Sequence, residues 1–248
     1  MRRKMDLRIT EKRTVITGAA QGIGAAIAKG FAEEGASLLL IDMNDSVVEL
    51  AKHLGAKSLV CNLSDPESAR AVAEAGAELG GADILVNNAG ISRPSPLPET
   101  TDEEWSAVLD INLSAAFRVT RALWEQLSEN GGVIVNLASF ASKRSTLFGN
   151  NSSYVAAKHG IAGLTRAAAF EGATQNIRVN AIAPGVVETD LIRSVHDADA
   201  RAKIMGFIPQ ARFAEPSEIA DLALFLASDR SRHICGEVVN INGGLCMD

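Results

Sequence analysis

The chain has 248 residues, with 24 Lys and Arg against 30 Asp and Glu, a formal net charge of −6 and 47% hydrophobic residues. This composition is typical of a soluble globular protein and excludes disordered, collagen-like and fibrous chains. The basic residues form no block beyond Arg2-Arg3-Lys4, so neither a nucleic-acid surface nor an anionic-membrane surface is expected, and a small molecule is the favoured ligand class.

Cysteine usage and hydropathy indicate the compartment. The three cysteines, Cys61, Cys235 and Cys246, are an odd number without zinc-ligand spacing, which predicts neither a disulfide framework nor a structural metal. No run approaches the roughly 18 apolar residues of a membrane span, and no apolar stretch follows the basic N-terminal tip as it would in a signal peptide. We therefore expect a cytoplasmic protein whose residues 1–6 form a loose tip.

Seven short apolar, β-branched segments alternate with alanine-rich helical stretches along the chain. They are nearly continuous apolar runs, which is typical of parallel strands covered by helices on both faces of a sheet. The predicted strands are 14–17, 37–42, 58–62, 84–87, 133–137, 177–182 and 237–241. Because no linker or repeat divides the chain, the prediction is a single α/β domain, 1–248, with a doubly wound, seven-stranded parallel sheet.

Local sequence marks two helix starts and one loop. The segment 64–67 places a proline and acidic residues in a predicted first turn, and Thr101 with Glu104 resembles a capping box. The proline-rich segment 94–98 is predicted to be a surface loop.

A glycine-rich turn at 17–24 follows the first predicted strand and opens a helix. Its spacing is GxxxGxG, and it lacks the GK[ST] ending of a P-loop. Glycines let a backbone approach phosphates, and the exposed amides and dipole of a helix start attract a dinucleotide pyrophosphate. The alternative is a tight strand-to-helix turn that binds no ligand.

Asp42 ends the second predicted strand, about 20 residues beyond the glycines. A carboxylate at this point is placed to accept hydrogen bonds from the ribose of an adenosine and would repel a 2′-phosphate. Neither Met43 nor Gln21 supplies the positive charge that NADP recognition needs, so charge complementarity favours NAD. In the alternative, Asp42 only caps a loop.

The only tyrosine of the chain, Tyr154, precedes Lys158 by four residues at the start of an alanine-rich helical stretch. Residues four apart share a helix face, so the Lys158 ammonium can lie near the phenol, favour the phenolate and lower the Tyr154 pKa. Such a phenol can serve as a general acid and base. The alternative is a surface tyrosine with an unrelated lysine one turn later.

Six motifs in the same order along the chain resemble the short-chain dehydrogenase/reductase family. They are TGxxxGIG at 17–24, NNAG at 87–90, Asn112, Ser139, YxxxK at Tyr154 and Lys158, and Pro184-Gly185. The resemblance covers practically the whole chain and implies a Rossmann-type fold and an NAD(P)-dependent oxidoreductase. In such an enzyme Tyr154 would exchange a proton with the substrate oxygen while a hydride moves between the substrate carbon and the nicotinamide.

The same resemblance implies roles for individual residues. The catalytic set would be Asn112, Ser139, Tyr154 and Lys158: Ser139 would hold the substrate oxygen, Lys158 would bind the nicotinamide ribose and tune Tyr154, and Asn112 would carry a water-linked proton relay. The implied cofactor contacts are Gly18, Gln21, Gly22, Ile23, Gly24, Asp42, Asn62, Leu63, Asn88, Gly90, Tyr154, Lys158, Gly185, Val187 and Thr189. Asn62 and Leu63 would contact adenine, and the last three would contact the nicotinamide carboxamide.

Two segments are expected to set the substrate. Ser139 and Tyr154 lie 15 positions apart, two more than in the commonest family members, so the substrates of close relatives do not transfer to this chain. Polar residues of this loop suit a hydroxylated or anionic substrate, although Lys143 and Arg144 favour facing solvent; the set is Lys143, Arg144, Asn150 and Asn151. The stretch 188–213 resembles the family's lid. Its residues His196, Asp197 and Asp199 match no metal signature, so no metal is predicted.

These inferences predict an NAD-dependent dehydrogenase acting on a secondary alcohol, a hemiacetal or the corresponding carbonyl, with a sugar or polyol as the first choice. One alternative is a 3-oxoacyl thioester reductase, suggested by the segments 186–190 and 240–245. A second alternative is a non-catalytic cofactor-binding regulator, which the intact Ser139, Tyr154 and Lys158 disfavour. The resemblance also implies a homotetramer, with helices in 101–128 and 152–176 at one interface and the C-terminal strand region at another.

Overall fold

The computed structural model describes residues 6–147, 150–195 and 197–247. Its centre is a seven-stranded sheet in the order β3-β2-β1-β4-β5-β6-β7, in which every neighbouring pair is parallel. The strands are β1 Arg13–Thr17, β2 Ser37–Asp42, β3 Lys57–Val60, β4 Ile84–Asn87, β5 Val133–Leu137, β6 Arg178–Pro184 and β7 Val238–Ile241. The predicted seven-stranded parallel sheet is therefore confirmed.

Helices cover both faces of this sheet. They are α1 Gly22–Glu33, α2 Ser46–Leu54, α3 Ser68–Glu78, α4 Asp102–Leu109, α5 Ala115–Ser128, α6 Ser152–Gly172, α7 Asp190–Val195, α8 Ala198–Met205 and α9 Pro216–Ala227. Successive strand residues join two different apolar clusters, because side chains alternate between the faces of a sheet. Ile16 of β1 packs in the cluster that contains α1 and α9, whereas its neighbour Val15 packs in the cluster that contains α3 and α5.

The two predicted helix starts have different outcomes. The capping box is confirmed, since the Thr101 hydroxyl accepts a hydrogen bond from the Glu104 amide and the Glu104 carboxylate accepts one from the Thr101 amide, both at 3.2 Å. The start predicted at 64–67 is wrong by a few residues, because α3 begins at Ser68. Asp65 forms a separate turn there: its carboxylate accepts the Glu67 amide at 2.9 Å, and its carbonyl accepts the Ser68 hydroxyl at 2.6 Å.

The strand order places a crevice between β1 and β4. From β1 the chain continues through β2 and β3 toward one edge of the sheet, and from β4 it continues through β5, β6 and β7 toward the other edge. Parallel strands end at the same edge of a sheet, and ligands of doubly wound folds bind outside the carboxyl ends at such a switch point. In the part of the chain that the structure describes, no helix is both long and apolar enough to cross a membrane.

Candidate active site

The glycine turn between β1 and α1 packs tightly against the loop that follows β4. Gly18 has a φ of +64°, and a Cβ atom at this position would lie 2.7 Å from the Ala89 Cα. A Cβ atom on Gly24 would collide with the Gly18 carbonyl oxygen. Both glycines are therefore required by the close approach of backbone segments around the crevice.

The start of α1 has the properties of an anion site. The helix begins at Gly22, its first turn contains no acidic residue, and the described structure shows no side-chain cap from Gln21. The first amides of a helix have no partner within the helix, so they can donate to a ligand. Ile23 is half-buried beside Gly22, so it borders the turn together with Gln21.

Asn88 connects the glycine turn to the loop after β4. Its side-chain nitrogen donates to the carbonyls of Thr17 at 3.1 Å and Gly18 at 2.8 Å. In return, the Thr17 hydroxyl accepts the backbone amides of Asn88 and Ala89 at 3.0 and 3.1 Å. The Asn88 amide group therefore holds the two sides of the crevice in register.

Asp42 lies at the carboxyl end of β2 with its charge turned toward the glycine turn. One carboxylate oxygen accepts the Ala20 amide at 3.0 Å, and the other accepts the Asn44 amide at 2.9 Å. Each carboxylate oxygen has two lone pairs, so both retain capacity for a ribose hydroxyl. The neighbouring Met43 is 68% exposed and contributes no charge.

The loop after β3 contains the two predicted adenine contacts. The Asn62 side-chain oxygen accepts the amide and the hydroxyl of Ser64 at 3.1 and 2.9 Å, which fixes the loop locally. The Leu63 side chain is buried in the core, at 4% exposure. Leu63 can therefore offer only its backbone to an adenine ring.

Three of the four predicted catalytic residues come together where β5 and α6 meet. Ser139 follows β5, accepts the Ala141 amide through its hydroxyl at 3.1 Å, and lies near enough to the Tyr154 phenol to influence its pKa. Lys158 donates from Nζ to the Leu137 carbonyl at 2.6 Å, and Nζ lies 5.6 Å from the centroid of the Tyr154 ring. The expected one-turn separation on a common helix face therefore brings phenol and ammonium together, as the YxxxK spacing predicts.

The pKa values of this pair shift for reasons of burial. Burial lowers the pKa of Lys158 to about 8, because the charged ammonium loses its hydration. Burial also raises the pKa of Tyr154, and the hydrogen bond with Ser139 opposes that rise only in part. The predicted lowering of the Tyr154 pKa is thus wrong for this structure, in which the net shift is upward. Desolvation dominates, and the Lys158 ammonium is directed to the Leu137 carbonyl.

Asn112 lies in a single π-helical turn, Asp110–Ser114, that separates α4 from α5. Its side-chain nitrogen donates to the carbonyls of Ile91 at 2.8 Å and Val108 at 2.9 Å. Its buried side-chain oxygen has no hydrogen-bond partner among the described residues. A Cβ atom on Gly90 would lie 2.5 Å from this oxygen and 3.7 Å from Lys158 Nζ. An unpartnered acceptor beside a buried ammonium fits an ordered water, as a proton relay requires.

The loop after β6 forms the opposite wall of the crevice. Gly185 donates its amide to the Ile241 carbonyl at 3.0 Å, and Val187 is buried and pairs with Ala214 in an isolated bridge. The Thr189 methyl group would lie 3.4 Å from a Cβ atom on Gly22. Thr189 therefore faces the glycine turn directly, so one ligand can contact both walls.

Glu188 connects this loop to the two short helices that follow it. Its carboxylate accepts Arg193 Nε of α7 at 2.8 Å and Arg201 Nη2 of α8 at 2.5 Å. The hydrogen bond from Arg201 is the main cause that lowers the Glu188 pKa. The Arg201 guanidinium also stacks on Phe213, 5.0 Å from the ring centroid. These contacts attach the predicted lid to the predicted nicotinamide loop.

The expected absence of a metal site concerns the same segment. His196 lies outside the described residues, and Asp197 caps α8 by accepting the Ala200 amide at 2.8 Å. Within the described ranges there is no cluster of three or more His, Cys, Asp or Glu side chains that could hold a metal ion.

The loop between Ser139 and Tyr154 has an apolar part and a polar part. Phe140 and Leu147 pack in an apolar cluster with residues of α8 and the C-terminal segment. Arg144 is exposed and donates to the Leu245 carbonyl at 3.3 Å, while Lys143 is half-buried. In the part before α6, the carbonyl of Asn150 accepts the Ser95 amide at 2.7 Å and Asn151 donates to the Ser92 hydroxyl at 2.8 Å.

Sequence reasoning missed a buried hydrogen-bond chain beneath the predicted catalytic residues. The Asn87 side chain donates to Asn136 at 2.9 Å, and Asn136 donates to the Thr165 hydroxyl at 2.9 Å. This chain joins β4, β5 and α6, the elements that carry the predicted site. An asparagine inside an otherwise apolar strand is the signal that could have identified it, because a buried amide needs partners.

Known oxidoreductases resemble the chain over nearly its whole length. Residues 18–246 match a family model described as Enoyl-(Acyl carrier protein) reductase. The chain is 39% identical to the 3-oxoacyl-[acyl-carrier-protein] reductase of Escherichia coli, over 95% of this chain and 98% of the relative. It is also 39% identical to the D-threitol dehydrogenase of Mycolicibacterium smegmatis, over 96% and 94%. A solved protein of Beutenbergia cavernae, provisionally assigned as an NAD(P)-dependent gluconate 5-dehydrogenase with bound NADP, superposes with a TM-score of 0.90 at 38% identity, over 95% and 97%.

Proposed function

Since the chain belongs to the short-chain dehydrogenase/reductase family, we propose that it is an NAD-dependent enzyme acting on a secondary alcohol, a hemiacetal or the corresponding carbonyl. A sugar or polyol is the proposed substrate class. The observation that carries the reaction type is the assembly of Ser139, Tyr154 and Lys158 at the carboxyl edge of the sheet. A cofactor-binding regulator has no chemical need for all three groups.

The residues around the crevice fit a nicotinamide dinucleotide. The uncapped start of α1 would hold the pyrophosphate, Asp42 the adenosine ribose, Asn62 and Leu63 the adenine, and the loop 185–189 the nicotinamide carboxamide. Asn88 and Gly90 would border the adenosine side, and Lys158 the nicotinamide ribose. When bound, the nicotinamide supplies the hydride acceptor for oxidation or the hydride donor for reduction.

Tyr154 is the proposed proton carrier to the substrate. In reduction its phenol would donate a proton to the carbonyl oxygen, Ser139 would donate a hydrogen bond to the same oxygen, and a bound reduced nicotinamide would supply the hydride. Because burial raises the Tyr154 pKa, the phenol holds its proton at neutral pH in this structure. Oxidation needs the phenolate, and Lys158 is the cation placed to favour it. A water held by the Asn112 side-chain oxygen would carry the proton to Lys158 in reduction and away from Lys158 in oxidation.

Unused hydrogen-bonding capacity near Tyr154 supports a polyhydroxylated substrate. The side-chain oxygens of Asn151 and Ser152, within one turn of Tyr154, are buried without a hydrogen-bond partner in the described part of the chain. Buried polar atoms are normally satisfied, so these oxygens fit hydroxyl groups supplied by a ligand. The name of the Mycolicibacterium relative, a dehydrogenase of the polyol D-threitol, supports the same class.

A 3-oxoacyl thioester reductase is the second candidate. The predicted substrate loop packs Phe140 and Leu147 against Phe213 and Leu245, and this apolar character of the loop favours an acyl substrate over a sugar. The name of the Escherichia coli relative supports this class.

A panel of substrates separates the two candidates. The nicotinamide absorbance change would be followed with sugars, polyols and hydroxy acids plus NAD or NADP, and with ketones and 3-oxoacyl thioesters plus the reduced cofactors. Tyr154→Phe is the blank, since it removes only the phenol oxygen. We expect NAD-dependent oxidation of a sugar or polyol that is lost in the blank. Exclusive NADPH-dependent reduction of thioesters would refute both the NAD and the polyol proposals.

The NAD preference depends on Asp42. Asp42→Ala removes the carboxylate that would repel a 2′-phosphate, so we expect the ratio of kcat/KM for NAD over NADP to fall by about tenfold or more. Asp45→Ala is the matched control, because Asp45 is an exposed acid three residues further along. An equal change of the ratio in both variants, or no change in either, would contradict the role of Asp42.

We also propose a cytoplasmic homotetramer. The outer faces of α5 and α6 support an interface, because Phe117 is 45% exposed and Phe170 is 87% exposed, which is unusual for phenylalanines on helices. Cys61, Cys235 and Cys246 are free thiols, which fits a reducing compartment.

A further inference from the structure

Arg118 of α5 holds the backbone of the loop that follows β3. Its Nη2 donates to the carbonyl of Leu63 at 3.1 Å and to the carbonyl of Ser64 at 3.2 Å. Two consecutive carbonyls of this loop therefore depend on one guanidinium from a helix more than 50 residues away in sequence. The side chain is half-buried, so water does not replace these contacts fully when they are lost.

The same loop is fixed from two other directions. The Leu63 side chain is anchored in the core, and the Asn62 side chain binds the amide and hydroxyl of Ser64. Neither contact determines the direction of the two carbonyls. Arg118 supplies that missing constraint, because one terminal nitrogen, Nη2, donates to both carbonyls.

A third contact extends the influence of Arg118 toward the catalytic residues. Nη2 lies 3.5 Å from the carbonyl of Asp110, the first residue of the π-helical turn that carries Asn112. One cation thus bridges the loop at the adenine end of the crevice and the turn at its nicotinamide end.

We propose that Arg118 is a positioning residue for the adenine end of the dinucleotide site, an inference that rests on the proposed cofactor role of Asn62 and Leu63. Arg118 acts through the loop and does not touch the ligand. Its loss lets the Leu63 and Ser64 peptide groups reorient, so part of the binding free energy must be used to order the loop again. The affinity for the adenosine half of the ligand should therefore fall.

Arg121 offers a matched control. It lies on the same helix, one turn further along, and lines the same surface groove as Arg118, next to Phe117. Its guanidinium stacks on Phe117, 5.1 Å from the ring centroid. Arg121→Met and Arg118→Met therefore remove the same charge from the same groove, but only Arg118→Met removes the donor from the Leu63 and Ser64 carbonyls.

Calorimetric titration with ADP-ribose tests the proposal without a substrate. We expect Arg118→Met to bind ADP-ribose about tenfold more weakly than the parent, and Arg121→Met to stay within about twofold. Arg118→Lys keeps the charge, but its side chain ends one bond short of the Nη2 position, so it should also bind more weakly than the parent. This conservative variant carries the test if Arg118→Met does not fold.

The outcomes distinguish three ways in which the proposal can fail. A lower melting temperature with an unchanged dissociation constant for ADP-ribose would make Arg118 a purely structural residue and overturn the proposal. Parent-like affinity in Arg118→Lys would also overturn it, because the Nη2 donor would then be unnecessary. Failure of the parent itself to bind ADP-ribose would instead overturn the proposed dinucleotide site, and the role of Arg118 with it.

Discussion

Burying the charged Lys158 side chain should lower the free energy of unfolding of the protein at neutral pH. Burial lowers the pKa of Lys158 from 10.5 to about 8. One pKa unit corresponds to about 1.4 kcal/mol, so keeping this buried lysine charged at pH 7 costs about 3 kcal/mol of the free energy of unfolding. Lys158→Met removes this cost, but it also removes the donor to the Leu137 carbonyl, which costs about 1–3 kcal/mol.

The pH dependence of stability isolates the cost of keeping the buried Lys158 charged. Between pH 8 and 10.5 the unfolded chain binds the Lys158 proton while the folded chain has released it, so the stability of the parent rises with pH in this window. From pH 7 to pH 9.5 the gain is about 2 kcal/mol. In Lys158→Met this gain is absent. The difference in unfolding free energy between variant and parent should therefore shift by about 2 kcal/mol in favour of the parent.

Urea denaturation of both proteins at pH 7 and pH 9.5 measures this shift. Lys29→Met is the control, because Lys29 is exposed on α1 and its removal should leave the pH dependence unchanged. A variant-to-parent difference that is constant across the two pH values would refute the burial argument. Loss of turnover in Lys158→Met together with unchanged or higher stability at pH 7 would show that the lysine is retained for chemistry at the expense of stability.

Three further expectations follow from individual contacts. Asp83→Ala should lower the unfolding free energy by about 2–3 kcal/mol in urea denaturation at pH 7. The substitution leaves Arg13 without its anionic partner, because Arg13 Nε and Nη2 donate to the Asp83 carboxylate at 2.8 and 2.7 Å. Burial raises the Asp83 pKa, but the hydrogen bonds and charge of Arg13 lower it by a larger amount. The stabilisation from the pair is therefore lost as the pH falls through the lowered pKa of Asp83. Gly90→Ala should reduce kcat by at least about tenfold while the melting temperature changes little, since its Cβ would displace the Asn112 oxygen. Light scattering should give a tetramer that Phe117→Asp dissociates; a monomeric parent would contradict the proposed interface.

The predictions that succeeded depend on local sequence or on regular repetition. Continuous apolar runs predicted all seven strands, because a sheet covered on both faces favours apolar residues in its strands. The four-residue spacing placed Tyr154 and Lys158 together, since it is a property of any α-helix. The glycine turn was recognisable because Gly18 and Gly24 lie where no other residue fits.

The predictions that failed or were never made depend on contacts distant in sequence. The sign of the Tyr154 pKa shift is set by burial beneath segments that no local pattern specifies. The π-helical turn at Asn112 adds one residue per turn to an otherwise helical stretch, and it leaves no separate signal in hydrophobic periodicity. The partners of Arg118 lie on a loop that only the folded sheet brings beside α5.

The arrangement of the site separates reaction type from substrate choice. Ser139, Tyr154 and Lys158 lie at the end of β5 and on α6, which the buried Asn87, Asn136 and Thr165 chain joins into one rigid unit. The expected determinants of the substrate lie on the loop after Ser139 and on α7 and α8 instead. These segments share one apolar cluster, and Glu188 attaches both short helices to the proposed nicotinamide loop.

A change in substrate preference therefore need not alter the proposed catalytic residues. The contacts that join Glu188 to the two short helices must, however, be kept. Exchanging loop residues such as Asn151 should alter what the proposed substrate pocket binds, because the buried Asn151 side-chain oxygen has no hydrogen-bond partner among the described residues. Breaking the Glu188 pairs with Arg193 and Arg201 releases the lid from the loop that borders the cofactor crevice. Loop substitutions should consequently change the relative kcat/KM of different substrates, while Glu188→Gln should weaken all substrates and the cofactor together.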